Sequence, residues 1–82
     1  MINKNNYENL YGCSDLSLAS TLYIWFPIIE TDFSDSKKAV FYFQQSQELQ
    51  DTINNYWRNE LLVEPKTLFQ SIKLLKSRIY QS

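Results

Sequence analysis

The sequence predicts an α+β domain: a two-stranded antiparallel β-hairpin packed with three helices, in the order α-β-β-α-α. Three observations carry that prediction. Ala39-Val40-Phe41-Tyr42-Phe43 is the densest apolar and aromatic run in the chain, and such side chains suit a pleated, half-buried surface. The run before it, Phe26 to Phe33, is its natural partner, and the polar turn formers Ser34-Asp35-Ser36-Lys37-Lys38 lie between them. Three further segments repeat apolar residues at helical spacing.

Taken in order, residues 1–12 read as a loose polar arm and residues 13–82 as one compact domain; a chain of this length has no room for a second. Ser14 is placed as the cap of a first helix, with Asp15 in its first turn. Leu16, Ala19, Leu22 and Tyr23 form the inward stripe of that helix. It should stop near Ile24 or Trp25, because the residue before Pro27 disfavours helical geometry. Pro27 fits only the start or the open edge of the first strand. The loop after Phe33 lacks a two-residue turn signal, so a longer connection is expected. In the second strand Ala39, Phe41 and Phe43 take one face, and Val40, Tyr42 and Gln44 the other. With apolar residues on both faces, the strand is expected to need cover on both sides.

Ser46 caps a second helix, whose inward stripe is Leu49, Ile53, Tyr56, Trp57 and Leu61. Pro65 suits the first position of a third helix, where its missing N–H costs nothing. Leu68, Ile72, Leu75 and Ile79 then share one face, and residues 80–82 are expected to fray. Both hairpin strands are expected to be sheet edges, which invite pairing with another chain. Phe41, Tyr42, Phe43 and Phe33 are therefore the candidate self-association residues, with a homodimer as the expected form. Trp25, Phe26, Phe33, Phe41, Phe43, Tyr56, Trp57 and Phe69 make an aromatic set generous for one small core.

Chemistry is harder to find. The chain has no histidine, hence neither the commonest general base nor the commonest metal ligand. A single glycine allows no glycine-rich phosphate loop, and no serine sits in a nucleophile elbow. Cys13 is the only cysteine; it reads as a small apolar residue near a helix start, and alone it implies no oxidising compartment. Glu30 and Asp32 stand at i and i+2 on one strand face and read as a solvated edge rather than an ion or acid/base pair. Asp32 and Asp35 read as turn formers. No catalytic residue, metal or cofactor is assigned, and no enzymatic activity is expected. No leader-like apolar core opens the sequence and no run is long enough to span a bilayer, so a cytoplasmic protein without a membrane partner is expected.

Charge is distributed unevenly. Of eight Lys and Arg and nine Asp and Glu, residues 65–82 hold Lys66, Lys73, Lys76 and Arg78 and not one acid. Lys66 and Lys73 lie nearly in line on a helix, with Phe69 and Tyr80 close by. Cations interleaved with aromatics can grip phosphates and stack on bases. An ordinary solvated helix face would show the same lysines.

Several stretches carry a resemblance. Ser14-Asp15-Leu16-x-Leu18-Ala19 is followed by Val40-Phe41-x-Phe43, then by a Gln-rich acidic helix with Tyr56-Trp57. Val63-Glu64-Pro65-Lys66 and Leu74-Leu75-Lys76-Ser77-Arg78-Ile79-Tyr80 complete the pattern. Together they resemble a family of short proteins of unknown function from bacterial, metagenomic and phage-associated genomes. The resemblance spans roughly residues 11 to 80. It departs at Trp25-Phe26-Pro27, where the family has Gly-Phe, and at Glu64, where it has Asp. It implies a stand-alone domain in a phage or mobile-element setting and brings no catalytic residue. The expected function is a small non-enzymatic binding module that acts through a protein partner, as a phage-type modulator of a host complex. The alternative is a weak nucleic-acid-binding accessory protein that uses Lys66, Lys73, Lys76, Arg78, Phe69 and Tyr80.

Overall fold

A computed structural model describes residues 9–35 and 38–81. Expectations for residues 1–8, for Ser36 and Lys37, and for Ser82 lie outside the described residues. The order is β1 (Leu10–Cys13), α1 (Leu16–Tyr23), β2 (Ile28–Asp32), β3 (Val40–Gln44), α2 (Gln47–Trp57) and α3 (Pro65–Gln81). The class is α+β as expected, with three helices and an antiparallel sheet. The sheet has three strands rather than two, in the order β1-β3-β2.

The added strand comes from the stretch read as the end of a polar arm. Leu10 to Cys13 pairs antiparallel with β3, with Tyr11 opposite Phe43 and Cys13 opposite Phe41. Four residues are too few for a period-two signal to stand out, and a glycine inside weakens it further. As a result β3 is the central strand and not an edge. Phe41 and Phe43 are 1% and 0% exposed, so neither can meet another chain, and the self-association expected of them is withdrawn.

Side chains from one sheet face join all three helices in a single core: Cys13, Ala39, Phe41 and Phe43 with Leu18, Ala19 and Leu22 of α1, Leu49 and Ile53 of α2, and Leu75 of α3. On the opposite face Val40 and Tyr42 are half-buried, while Gly12 and Gln44 are exposed. Cover on both sides is therefore not required. The aromatic ring of Tyr42 instead lies across Gly12: a Cβ there would stand 2.8 Å from Tyr42 Cε1. The backbone of Gly12 is not left-handed, so the glycine provides space rather than conformational freedom.

Local signals explain the helices. Asp15, not Ser14, caps α1, accepting from the Leu18 amide at 3.2 Å. Ser46 caps α2 as expected, with the Leu49 amide at 3.0 Å. Pro65 opens α3 after Glu64, whose carboxylate accepts from the Thr67 amide at 2.8 Å. The α3 helix continues to Gln81, so fraying does not begin at Tyr80. The α1 and α3 helices approach closely through small residues. Ser71 Oγ donates to the Ser20 carbonyl at 2.6 Å in a buried setting, in the last turn of α1 where carbonyls lack in-helix partners.

Of the aromatics expected in the core, Phe26 and Tyr56 pack against it in part, and Trp25, Phe33, Trp57 and Phe69 are exposed. An 82-residue chain cannot enclose so many rings.

Candidate functional site

A cleft of about 550 Å³ opens where α2 ends and α3 begins, lined by Thr21, Tyr56, Trp57, Asn59, Leu61, Val63 and Leu68. Its shape follows from how α2 stops. Asn59 takes the left-handed conformation at φ 60°. The Glu60 amide bonds the Asn55 carbonyl at 2.9 Å, and the Asn59 amide bonds Tyr56 at 3.2 Å. This double bond pattern is a Schellman ending. It turns the chain so that Leu61 and Val63 line the cleft while Leu62, 92% exposed, points away.

Trp57 was expected among the inward residues of α2. It lies ~60° around the helix from the Leu49–Ile53 axis, so its indole reaches the rim rather than the core. It is 62% exposed and stands edge-on to Tyr56, ring centres 5.1 Å apart at 87°. Burial, reinforced by the nearby Asp15 charge, pushes the Tyr56 phenol above its ordinary range. The cleft is thus of mixed polarity, apolar at Leu61, Val63 and Leu68 and polar at Thr21 and Asn59, with an aromatic lip. Tyr56 and Trp57 are adjacent in the sequence, but the sharp turn at Asn59 that opens the cleft beside them is not legible in hydrophobic spacing.

On α3 the expected inward face is observed: Leu75 is buried, and Leu68, Ile72 and Ile79 are half-buried. Lys66, Phe69, Lys73, Lys76 and Tyr80 are all exposed, and fall within an arc of about 80° on the outer face. Arg78 is not part of that arc. Its guanidinium donates to the Tyr23 hydroxyl at 3.0 Å and lies 5.2 Å from that ring's centre. The structure therefore brings together five of the six residues proposed for nucleic-acid contact and places the sixth against α1.

The carboxylates of β2 serve the backbone. Glu30 Oε1 accepts from the Thr31 amide at 3.0 Å, and Asp32 Oδ1 from the Ser34 amide at 2.8 Å; the second bond holds Asp32 below the usual carboxylate range. This agrees with Asp32 as a turn former. Among the described residues no three His, Cys, Asp or Glu side chains gather to hold a metal ion. Cys13 is 4% exposed, and burial, the leading cause, pushes its thiol above the ordinary cysteine value. Among the described residues no helix is long and apolar enough to cross a membrane.

Fold and surfaces together define a small α+β domain with a cleft of mixed polarity where α2 meets α3 and a cationic face on α3. The chain belongs to the family described as Domain of unknown function (DUF5659), whose model matches residues 8–81. That agrees with the resemblance drawn from its motifs. No curated protein and no solved structure matches the chain.

Proposed function

We propose that the protein is a non-enzymatic binding module that acts through a protein partner seated at the cleft between α2 and α3. The observation that carries the proposal is the exposed indole of Trp57 on the lip of a cleft. Exposed tryptophan and tyrosine beside a pocket are the usual anchors of protein interfaces. A cytoplasmic setting belongs to the same proposal, as does a host complex as target, which rests on the resemblance. The test is affinity capture from lysate with wild type and Trp57→Ala in parallel. The proposal expects a protein retained by wild type and lost with the variant, the variant's melting point staying close to that of wild type. Equal capture by both would remove the cleft from the function.

A second reading is favoured by α3. Lys66, Lys73 and Lys76 share an exposed face with Phe69 and Tyr80, which suits a phosphate backbone with bases stacked on rings. Three cations give weak binding that fades with salt. A gel-shift series at rising salt, with wild type and the Lys66, Lys73 and Lys76 to Glu triple variant, decides it. No shift of any single- or double-stranded nucleic acid at low salt would end this reading.

A further inference from the structure

We propose that β1 pairs edge to edge with β1 of a second copy, extending the sheet across a two-fold axis. The proposal rests on the unequal treatment of the two sheet edges.

The β2 edge is blunted. Pro27 precedes it and has no N–H to offer. A register irregularity between Ile28 and Glu30 interrupts its pairing, and bulges discourage further strands. In antiparallel pairing the backbone groups of successive residues point alternately to the two sides. Asp32 and Glu30 face Val40 and Tyr42, so Thr31 points outward. Its amide is occupied by the Glu30 carboxylate at 3.0 Å. At this edge the Pro27 N–H is missing, the register is broken between Ile28 and Glu30, and the Thr31 amide is covered.

The β1 edge carries none of these devices. The Gln45 amide bonds the Asn9 carbonyl at 3.2 Å, and the same register places Tyr11 opposite Phe43 and Gly12 opposite Tyr42. Alternation then turns Tyr11 and Cys13 toward β3, and Leu10 and Gly12 outward. No hydrogen bond from the described residues meets those outward groups. The stretch Leu-Tyr-Gly-Cys holds no charge and no proline, two of the usual guards of an edge; its shortness is the one guard it does have.

The occupant that fits is another β1, because the sequence is self-complementary about Tyr11. In an antiparallel two-fold pairing centred there, Leu10 stands opposite Gly12 of the second copy, where the Tyr42 ring that lies over Gly12 offers it an apolar contact. About four main-chain hydrogen bonds form by the alternation rule. Tyr11, half-buried on the core-side face, faces its own copy at cross-strand aromatic distance. An edge this short makes a dimer of the transient, concentration-dependent class.

Sedimentation equilibrium of the full chain over a wide concentration range tests the proposal. The weight-average mass should climb toward that of two chains. Leu10→Pro removes an outward N–H without touching the ladder to β3, and should hold the mass at one chain throughout. Ile29→Lys, on the β2 edge, should leave the dimer unchanged. Amide exchange of wild type gives a measurement independent of variant folding: Leu10 and Gly12 should slow as concentration rises, and Thr31 should not. A single-chain mass at every concentration, a dimer that survives Leu10→Pro, or exchange at Leu10 and Gly12 insensitive to concentration would each overturn it.

Discussion

The ring of Tyr42 occupies the space that any side chain at position 12 would need. A Cβ on Gly12 meets Tyr42 Cε1 at 2.8 Å and Val40 Cγ1 at 3.2 Å, across a pair in which the strands approach most closely. The only glycine in the chain thus lets a strand and an aromatic ring share one layer. Gly12→Val should destabilise by about 1–3 kcal/mol, as overpacking does. The nearest atom is a ring edge rather than backbone, and alanine adds only a Cβ, so Gly12→Ala should cost less. In a double-mutant cycle, Tyr42→Ala should recover part of the Gly12→Val loss. Urea unfolding reads all of these, and strict additivity would show that the ring is not what excludes the side chain.

Ser20 and Ser71 should respond in opposite directions. Ser71 Oγ holds the Ser20 carbonyl at 2.6 Å; Ser71→Ala should cost about 1–2 kcal/mol by leaving a buried acceptor unmet. Ser20 Oγ is buried without a hydrogen-bond partner among the described residues. Removing that unmet hydroxyl in Ser20→Ala should be neutral or stabilising by up to about 1 kcal/mol. Thermal melts of the two variants side by side check the contrast.

Asn59 at φ 60° occupies the position after α2 where glycine is commonest. Asn59→Ala should cost about 1 kcal/mol, because a β-carbon disfavours this conformation. Asn59→Gly should hold stability within about 0.5 kcal/mol. The same pair bears on the cleft: if its opening depends on that turn, binding should weaken in the Ala variant and persist in the Gly variant.

Glu64 makes stability depend on acid. Hydrogen bonds from the Thr67 and Lys66 amides hold its carboxyl below the ordinary glutamate value. A carboxyl depressed in the folded state contributes stability above its unfolded pKa and loses it as pH falls through the folded one. The gap in urea midpoint between wild type and Glu64→Gln should therefore be widest near neutral pH and close on acidification. An NMR titration of Glu64 with a midpoint at or above that of free glutamate would contradict this.

The helices were legible because their signals are local and redundant. Ser46, Pro65 and the Leu68, Ile72, Leu75, Ile79 stripe each indicate a helix, and the structure agrees at all of them. The β2–β3 hairpin was legible for the same reason. β1 was not, since its four residues earn their place only by pairing with Val40–Gln44, some thirty residues on. That one omission moved β3 from edge to centre and misplaced the self-association residues. Of those, Tyr42 stays half-buried on the outer face, and Phe33 is 38% exposed just past β2. The cationic arc on α3 was readable from spacing; the diversion of Arg78 to Tyr23, fifty-five residues away in sequence, was not. Trp57 was misread because a stripe drawn from neighbours cannot tell a core position from a rim position ~60° away.

The central place of β3 has a further consequence for biosynthesis. Both flanking strands precede it in the chain, and they touch it rather than each other. A nascent polypeptide halted before Val40 holds a short helix and two extended segments with nothing to pair with, its apolar side chains open to chaperones and proteases. Because the same core also takes in Leu49, Ile53 and Leu75, nascent chains should gain protease resistance only once α3 has emerged from the ribosome.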